Sequence, residues 1–214
     1  MKHVFLILAM LALGALLAAP LNAAGQQLDP RECPKAIGQA IDAADLAAFE
    51  RLVDLDGIIG EGVTLFLEEM RKPENARQLP PMLAIMFSRT ASGDDMAKNI
   101  RTMLVGETRA FVCNGVASGA FAGRTPTGAA QQGLLAPLFA GASQGRKEIR
   151  AIGQASVIGD GLWHVPFVLH DSGNGLDYPV VGLVNQTKNG LRLTAIDNLD
   201  GLFARVAAEN QNLQ

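Results

Sequence analysis

The chain has 214 residues, of which 49% are hydrophobic and 18% are charged, with 18 basic residues against 21 acidic ones. This composition is typical of a chain that buries a core, and it excludes a disordered protein, a collagen-like fibre and a polytopic membrane protein. The acidic balance argues against a nucleic-acid binder, because no basic stripe is available to neutralise phosphates.

Residues 1–23 predict a secretory signal peptide. The basic start Lys2-His3 precedes an apolar run that ends at Pro20, and the small residues Ala23-Ala24 mark the cleavage region. The alternative is an uncleaved N-terminal anchor, but the run is shorter than the ~20 residues that cross a bilayer. We therefore expect a periplasmic or secreted bacterial protein in which residues 24–214 form one α+β domain, with no stable membrane insertion after cleavage. Cleavage removes one lysine, which leaves 17 basic against 21 acidic residues and a net charge of −4.

The chain has two cysteines, Cys33 and Cys113. An oxidising compartment favours their pairing, so we predict a disulfide. Closing a loop of about 80 residues would stabilise the fold by ~4 kcal/mol in the chain-entropy model. The alternatives are a metal site, which two thiols cannot complete alone, and a catalytic thiol.

Residues 33–143 have the apolar period of α-helices. Apolar side chains recur at i, i+3 and i+4 from Ala36 to Ala44, and Asp45 is placed to cap a second, short helix. The same period predicts further helices at 58–71, from Asp94 or Asp95 to Gly119, and at 134–139.

Residues 146–198 have the pattern of β-strands. Four strands are predicted, at 147–158, 162–171, 176–187 and 191–198, and a helix is predicted at 199–209. Asp160-Gly161 and Asn189-Gly190 are strong hairpin signals, because both residues of each pair tolerate a positive φ. The sequence therefore predicts an antiparallel four-stranded meander, curved and packed against the N-terminal helices.

Both faces of this predicted sheet are partly apolar. In the strand at 162–171, one face carries Trp163, Val165, Phe167 and Leu169, and the other carries His164, Pro166, Val168 and His170. A sheet with one solvated face alternates more cleanly. We therefore expect helices on one face, and a pocket or a partner on the other.

Histidine is the main candidate for catalysis, and only His164 and His170 follow the leader. On one strand they lie ~20 Å apart, so they cannot bind one metal ion together. His164 beside Asp177 or Tyr178 of the neighbouring strand would be a general base, while the alternative is an ordinary half-buried histidine. The G-x-S-x-G pattern at 141–145 lacks the strand before it and the helix after it that a nucleophile elbow needs. The residues indicate no cofactor and no metal.

Several positions in the first helices and in the last strand carry a family resemblance. They are Ala36-Ile37, Ala40-Ile41, Ala44-Asp45, Phe49 and Leu52-Val53-Asp54-Leu55-Asp56, together with Gly190-Leu191-Arg192-Leu193 and Asp197. The pattern resembles uncharacterised exported members of the nuclear-transport-factor-2-like superfamily. That resemblance implies a helix pair in front of a curved, cone-shaped antiparallel sheet. Enzymes of the superfamily carry acid–base residues inside the cone, and the matched positions here contain no such set.

A second resemblance is to periplasmic phospholipid carriers, which also place helices before a curved sheet and hold acyl chains between them. Methionines would suit such an adaptable apolar pocket, and the helical half contains Met70, Met82, Met86, Met96 and Met103. The first expectation is a non-catalytic, exported binding or interaction module, whose partner is an apolar small ligand or an envelope protein. The alternatives are a carrier of lipid or another apolar ligand, and a small cone-fold enzyme that uses His164.

Overall fold

A computed structural model describes residues 28–72, 75, 84–85, 94–125 and 145–211. The helices described before the sheet are α1 (Glu32–Ala43), α2 (Leu46–Leu52), α3 (Leu55–Met70) and α4 (Asp94–Ala117), and a short 3-10 helix follows at Ala120–Ala122. Among the described residues, five strands and a last helix, α5 (Leu199–Gln211), come after them. The predicted α+β class is confirmed. The signal peptide at 1–23, the helix at 134–139 and Ser143 of the G-x-S-x-G pattern lie outside the described residues.

The predicted helix pair at the start of the chain is confirmed. Ile37, Ala40 and Ile41 place one face of α1 in the core. The helix ends at Ala44, whose φ of 56° is left-handed. Asp45 caps α2 as predicted, since its carboxylate accepts a hydrogen bond of 2.9 Å from the Ala48 N–H.

The junction between α2 and α3 attaches the helices to the sheet. Val53 forms a parallel bridge with Leu193, and the Asp54 N–H donates to the Leu193 carbonyl at 2.8 Å. The Arg192 guanidinium lies 3.3 Å from both the Asp54 carboxylate and the Val53 carbonyl oxygen. The chain between the two helices therefore acts as a short extension of the sheet.

The sheet is open, curved and antiparallel. Its strands are β1 (Lys147–Arg150), β2 (Ser156–Gly159), β3 (Leu162–Asp171), β4 (Leu176–Thr187) and β5 (Gly190–Ile196). β3 pairs with β1 and β2 on one side and with β4 on the other, and β4 pairs with β5. The predicted meander of the last three strands is confirmed.

The prediction of one continuous strand at 147–158 is wrong, and Pro166 explains why. The structure has β1 and β2 along one edge of β3, with residues 151–155 outside any strand. The N–H and C=O of a strand residue point to the same side. The Pro166 carbonyl accepts from the Gly153 N–H at 2.8 Å, so the N–H that proline lacks would have pointed to this segment. The edge strand is interrupted where its partner has no donor.

Asn198 replaces the missing end of β5. Beyond Ile196 its side-chain amide takes over the pairing with β4: Oδ1 accepts from the Val181 N–H at 2.8 Å, and Nδ2 donates to the Pro179 carbonyl at 2.9 Å. The Asp197 N–H donates to the Val181 carbonyl at 2.8 Å. The backbone of β4 is thus satisfied where the last strand has ended.

One face of the sheet, which we call the core face, packs against the helices. Its β3 residues Trp163, Val165, Phe167 and Leu169 are buried together with side chains from α1 to α5. The opposite residues of β3, from His164 to His170, are all half-buried. The prediction that helices cover one face is confirmed. Within the described ranges, the helices are too short or too polar to cross a membrane.

The end of α1 allows a stability test. A left-handed conformation costs alanine roughly 1 kcal/mol and costs glycine almost nothing. We expect Ala44→Gly to raise the free energy of unfolding by about 1 kcal/mol, measured by urea denaturation. Its neighbour Ala43 is exposed within α1, and Ala43→Gly should lower the free energy of unfolding by about the same amount. Effects of the same sign would contradict the left-handed cap.

Candidate functional site

The second face of the sheet is the candidate site, and we call it the outer face. It consists of His164, Pro166, Val168 and His170 of β3 and Asp177, Pro179, Val181 and Leu183 of β4. Pairing places these residues in cross-strand rows, such as Pro166 opposite Val181 and Val168 opposite Pro179. All of them are half-buried or exposed. The middle of the outer face is therefore apolar and reaches solvent.

One end of the outer face is a row of charged residues across three strands. Glu148 of β1 pairs with His170, which pairs with Asp177 of β4. The His170 Nδ1 lies 2.7 Å from the Asp177 Oδ1. Arg150 donates to Glu148 at 2.7 Å, and this hydrogen bond is the main cause that lowers the pKa of the Glu148 carboxyl, with smaller contributions from the charge of Arg146 and from His170.

A second histidine–aspartate pair crosses the outer face. The His164 Nε2 lies 3.5 Å from the Asp197 Oδ1, although His164 is on β3 and Asp197 follows β5. Strand β4 lies between them, so the two side chains approach over it. His164 is paired with Leu183, and the Asp197 backbone bonds to Val181, which places the contact beside these two apolar residues.

The predicted catalytic set of His164, Asp177 and Tyr178 is not assembled. Asp177 is paired with His170 rather than with His164. Tyr178 belongs to the core face, is 2% exposed, and its hydroxyl accepts a 2.7 Å hydrogen bond from Asn174. The register of the two strands explains the distance from Asp177, because β4 places Leu183, and not Asp177, opposite His164. His164 has a carboxylate partner, but the partner is Asp197, which the sequence did not indicate.

The ionisable groups of the outer face lie at the margin of its apolar middle. The part of the chain that the structure describes contains no cluster of three or more His, Cys, Asp or Glu side chains arranged to hold a metal ion. Three carboxylates, from Glu148, Asp177 and Asp197, surround the apolar residues, and Arg150 is already engaged by Glu148. An apolar centre with an acidic margin suits a partner with the complementary arrangement.

A buried ion pair lies on the core face at the end of β1 and β3. Lys147 and Asp171 are directly paired, and their side chains are 0% and 1% exposed. The Lys147 Nζ lies 2.5 Å from the Asp171 Oδ1, which also accepts from the Gly173 N–H at 2.9 Å. Burial lowers the pKa of the Lys147 ammonium, against the smaller opposite effect of Asp171. Neither group reaches solvent, so the pair acts on the fold rather than on a ligand.

The chain before β1 is packed closely against the β3–β4 turn. Gly145 has a φ of 76°, and a Cβ at this position would collide with the Gly173 backbone, so only glycine fits. The Arg146 N–H donates to the Ser172 Oγ at 2.6 Å, and the Arg146 guanidinium lies 2.9 Å from the Asp42 carboxylate at the end of α1. These contacts hold the end of β1 where Lys147 meets Asp171.

The predicted disulfide is wrong for this structure, in which Cys33 and Cys113 are both free thiols. The Cys33 side chain of α1 is buried against the backbone of Leu193. The Cys113 Sγ lies instead 3.9 Å from the Glu50 Oε1 of α2. A disulfide needs Cα atoms within about 7 Å and Cβ atoms directed at each other. The two thiols have separate surroundings, so their pairing would require the helices to move.

The methionines of the predicted apolar pocket fall into two groups. Met70 is part of the core, and Met103 is packed against it while half-buried. Met82, Met86 and the side chain of Met96 lie outside the described residues. A pocket for an apolar ligand therefore stays a prediction.

Comparison with family models, with curated proteins and with solved structures gives no match to this chain. The resemblance to the nuclear-transport-factor-2-like superfamily and the exported location stay predictions. The fold and the site together define an α+β protein with helices on one face of an antiparallel sheet and an acidic-rimmed apolar surface on the other.

The sequence contained a signal for the buried ion pair that the prediction did not use. Asp171 continues the alternation of Phe167 and Leu169, and Lys147 shares the period of Ile149, so a period of two places both charges on the core face. Asp197 and Asn198 gave no comparable signal, because their positions depend on where β5 ends.

Substitution of the buried pair tests its effect on stability. We expect Lys147→Met to lower the free energy of unfolding by about 3 kcal/mol or more, because it leaves the Asp171 carboxylate in the core without its counterion. Lys147→Met combined with Asp171→Asn should be clearly less destabilised than the sum of the two single variants. Denaturant titration of the four proteins measures this coupling.

Lys35 provides the matched control, because it forms the exposed pair with Glu32 at 2.6 Å. Lys35→Met should change the free energy of unfolding by less than about 0.5 kcal/mol. Equal effects of the two lysine substitutions would contradict the burial of Lys147.

The reactivity of the thiols tests their environments. Burial raises the pKa of Cys33 to about 12 and also raises that of Cys113, which is only half-buried. Because the thiolate is the reactive form, we expect slow labelling by a disulfide reagent at Cys113 and almost none at Cys33 until the protein unfolds. Cys113→Ser should remove the phase seen in the folded protein. If unreduced, unfolded protein released no thiol at all, the two cysteines would be paired after all.

Proposed function

We propose that this protein is a non-catalytic binding module whose outer face holds an extended segment of a partner protein. The observation that carries the proposal is the apolar middle of that face, Val168, Val181 and Leu183, which has solvent access on a sheet whose opposite face holds the core. Partly exposed apolar side chains grouped on one surface are typical of interaction sites.

The charge around these residues supports a basic partner. Asp177 and Asp197 have side-chain exposures of 63% and 57%, so both carboxylates are available to a ligand. The chain is acidic as a whole, which favours the approach of a positively charged segment. A partner that presents apolar side chains between basic ones would satisfy both the middle and the margin of the outer face.

The spacing of the carboxylates supports an extended ligand. Asp177 lies on β4, and Asp197 bonds through its backbone to Val181, four positions further along the same strand. Four positions correspond to ~13 Å of strand, so an extended peptide of about six residues would reach from one carboxylate to the other.

We do not propose the enzyme that the sequence offers as an alternative. Its candidate residues His164, Asp177 and Tyr178 lie on different faces of the sheet or have other partners. The signal peptide that the sequence predicts at 1–23 favours an envelope protein as the source of the segment. A carrier of lipid or another apolar ligand is the other function that the sequence predicts, and it would use the space between helices and sheet rather than the outer face.

Synthetic peptides test the proposal. The probe is a fluorescent extended peptide of about six residues, with valine at alternate positions and lysine at both ends, and the matched peptide has glutamate at both ends. We expect the lysine-ended peptide to bind at about pH 8, where histidine is ordinarily neutral, and the glutamate-ended peptide to bind at least tenfold more weakly. Fluorescence anisotropy measures both affinities. Equal affinity for the two peptides would overturn the proposal.

Variants locate the binding to the outer face. Val181→Asp should lower the affinity for the lysine-ended peptide by about tenfold, which corresponds to about 1.4 kcal/mol of binding free energy. Val181→Thr is nearly isosteric and should lower this affinity by a smaller factor. It keeps the test valid if the Val181→Asp protein does not fold. Val157 is the control, because it is 74% exposed on β2 but shares its face with Trp163. Val157→Asp should leave the affinity unchanged, and a folded Val181→Asp protein that binds like the wild type would contradict the proposed surface.

A further inference from the structure

We infer that the two outer-face histidines compete with the basic groups of the partner for Asp177 and Asp197, so that binding through this face weakens as the pH falls. The inference rests on the proposed function and adds a form of regulation to it. Both histidine–aspartate contacts lie where the partner's cations would have to bind, at the margin of the apolar residues.

The contact of His164 with Asp197 is the more informative, because it joins β3 to the residue that follows β5, and these strands are not neighbours. Strands β3 and β5 lie two strand spacings apart, ~9.6 Å, and β4 runs between them. The two side chains must extend towards each other over β4 to reach 3.5 Å. At this length the contact is weak while the imidazole is neutral, and its attraction increases once the imidazole carries a proton.

The groups around His164 leave Asp197 as its charged neighbour. Ser156 of β2 and Leu183 of β4 are its cross-strand partners, and both are uncharged. The one charged residue of β5, Arg192, is engaged by Asp54 and the Val53 carbonyl. A proton on His164 therefore acts mainly on the Asp197 carboxylate.

His170 has more charged neighbours. Glu148 and Arg150 face it from β1, and Asp177 faces it from β4 with a contact of 2.7 Å. Arg150 is occupied by Glu148, so a proton on His170 is shared between two carboxylates. The effect of a proton on His170 upon Asp177 should therefore be smaller than the effect of a proton on His164 upon Asp197. His164 should account for most of the pH dependence of binding.

Protonation changes the charge of the whole margin. With neutral imidazoles, three carboxylates and Arg150 give the outer face a net charge of −2. Two added protons bring the sum to zero. Histidine is the side-chain type whose charge ordinarily changes between about pH 5 and 8, whereas carboxyl side chains ordinarily change theirs below that range. Both effects, loss of the acidic margin and capture of its carboxylates, act against a basic partner.

The lysine-ended peptide described above tests the inference. For the wild type we expect the dissociation constant to rise about fivefold or more between about pH 8 and about pH 5.5. His164→Gln should remove most of this rise, and the combination with His170→Gln should remove the rest. A matched peptide with uncharged ends should bind equally at both pH values. A pH dependence that the double variant retains would overturn the inference and leave the proposed function intact.

A second measurement distinguishes failure of the pH inference from failure of the proposed function. In the protein without peptide, the side-chain carboxyl ¹³C signal of Asp197 should follow the titration of the His164 imidazole, and this coupling should disappear in His164→Gln. An Asp197 signal that does not respond to His164 overturns the inference whatever the peptide does. Failure of the peptide to bind at either pH overturns the proposed function, and the competition with it.

Discussion

The register of β3 is the constraint on which the rest of the structure depends. Five alternate positions of this strand, residues 163, 165, 167, 169 and 171, lie under the helices, and the positions between them form the outer face. Because the side-chain period of a strand is two, a slip by one residue would expose Trp163 and bury both histidines. The buried pair of Lys147 and Asp171 opposes such a slip, since the same movement would separate the Lys147 ammonium from the Asp171 carboxylate, and breaking a buried ion pair is strongly destabilising.

The alternation of β3 could be predicted from the sequence, because it is a local property of one strand. The helix pair, its cap at Asp45 and the hairpins at Gly161 and Gly190 are local in the same sense, and all of them are present. The interruption between β1 and β2 depends on Pro166, which pairs with residues thirteen positions earlier. A proline in the second strand was visible in the sequence, but its effect on the first required the register that joins them.

The candidate site was less predictable than the fold for the same reason. The sequence points to His164, but its carboxylate partner Asp197 follows the end of β5, a strand that is not adjacent to β3 and that has a bulge in its pairing with β4. Asp177 and Tyr178 are on the strand next to His164, as predicted, but the register of β3 with β4 pairs Asp177 with His170 and places Leu183 opposite His164. The disulfide prediction depends on the predicted compartment and on the presence of two cysteines. Neither contains information about the distance between Cys33 of α1 and Cys113 of α4.

The end of β5 links the fold to the proposed site. If β5 continued as a regular strand to residue 199, the backbone groups of residues 197 and 199 would pair with Val181 and Pro179, and the side-chain amide of Asn198 would not be needed there. Because the strand stops at Ile196, Asp197 keeps one backbone bond to β4 while its carboxylate is directed over the outer face towards His164. A carboxylate fixed by its own backbone at the edge of a sheet loses little conformational freedom on binding a cation. The early end of β5 therefore has two consequences. Asn198 completes the hydrogen bonding of β4, and Asp197 becomes the best-positioned acidic group of the proposed surface.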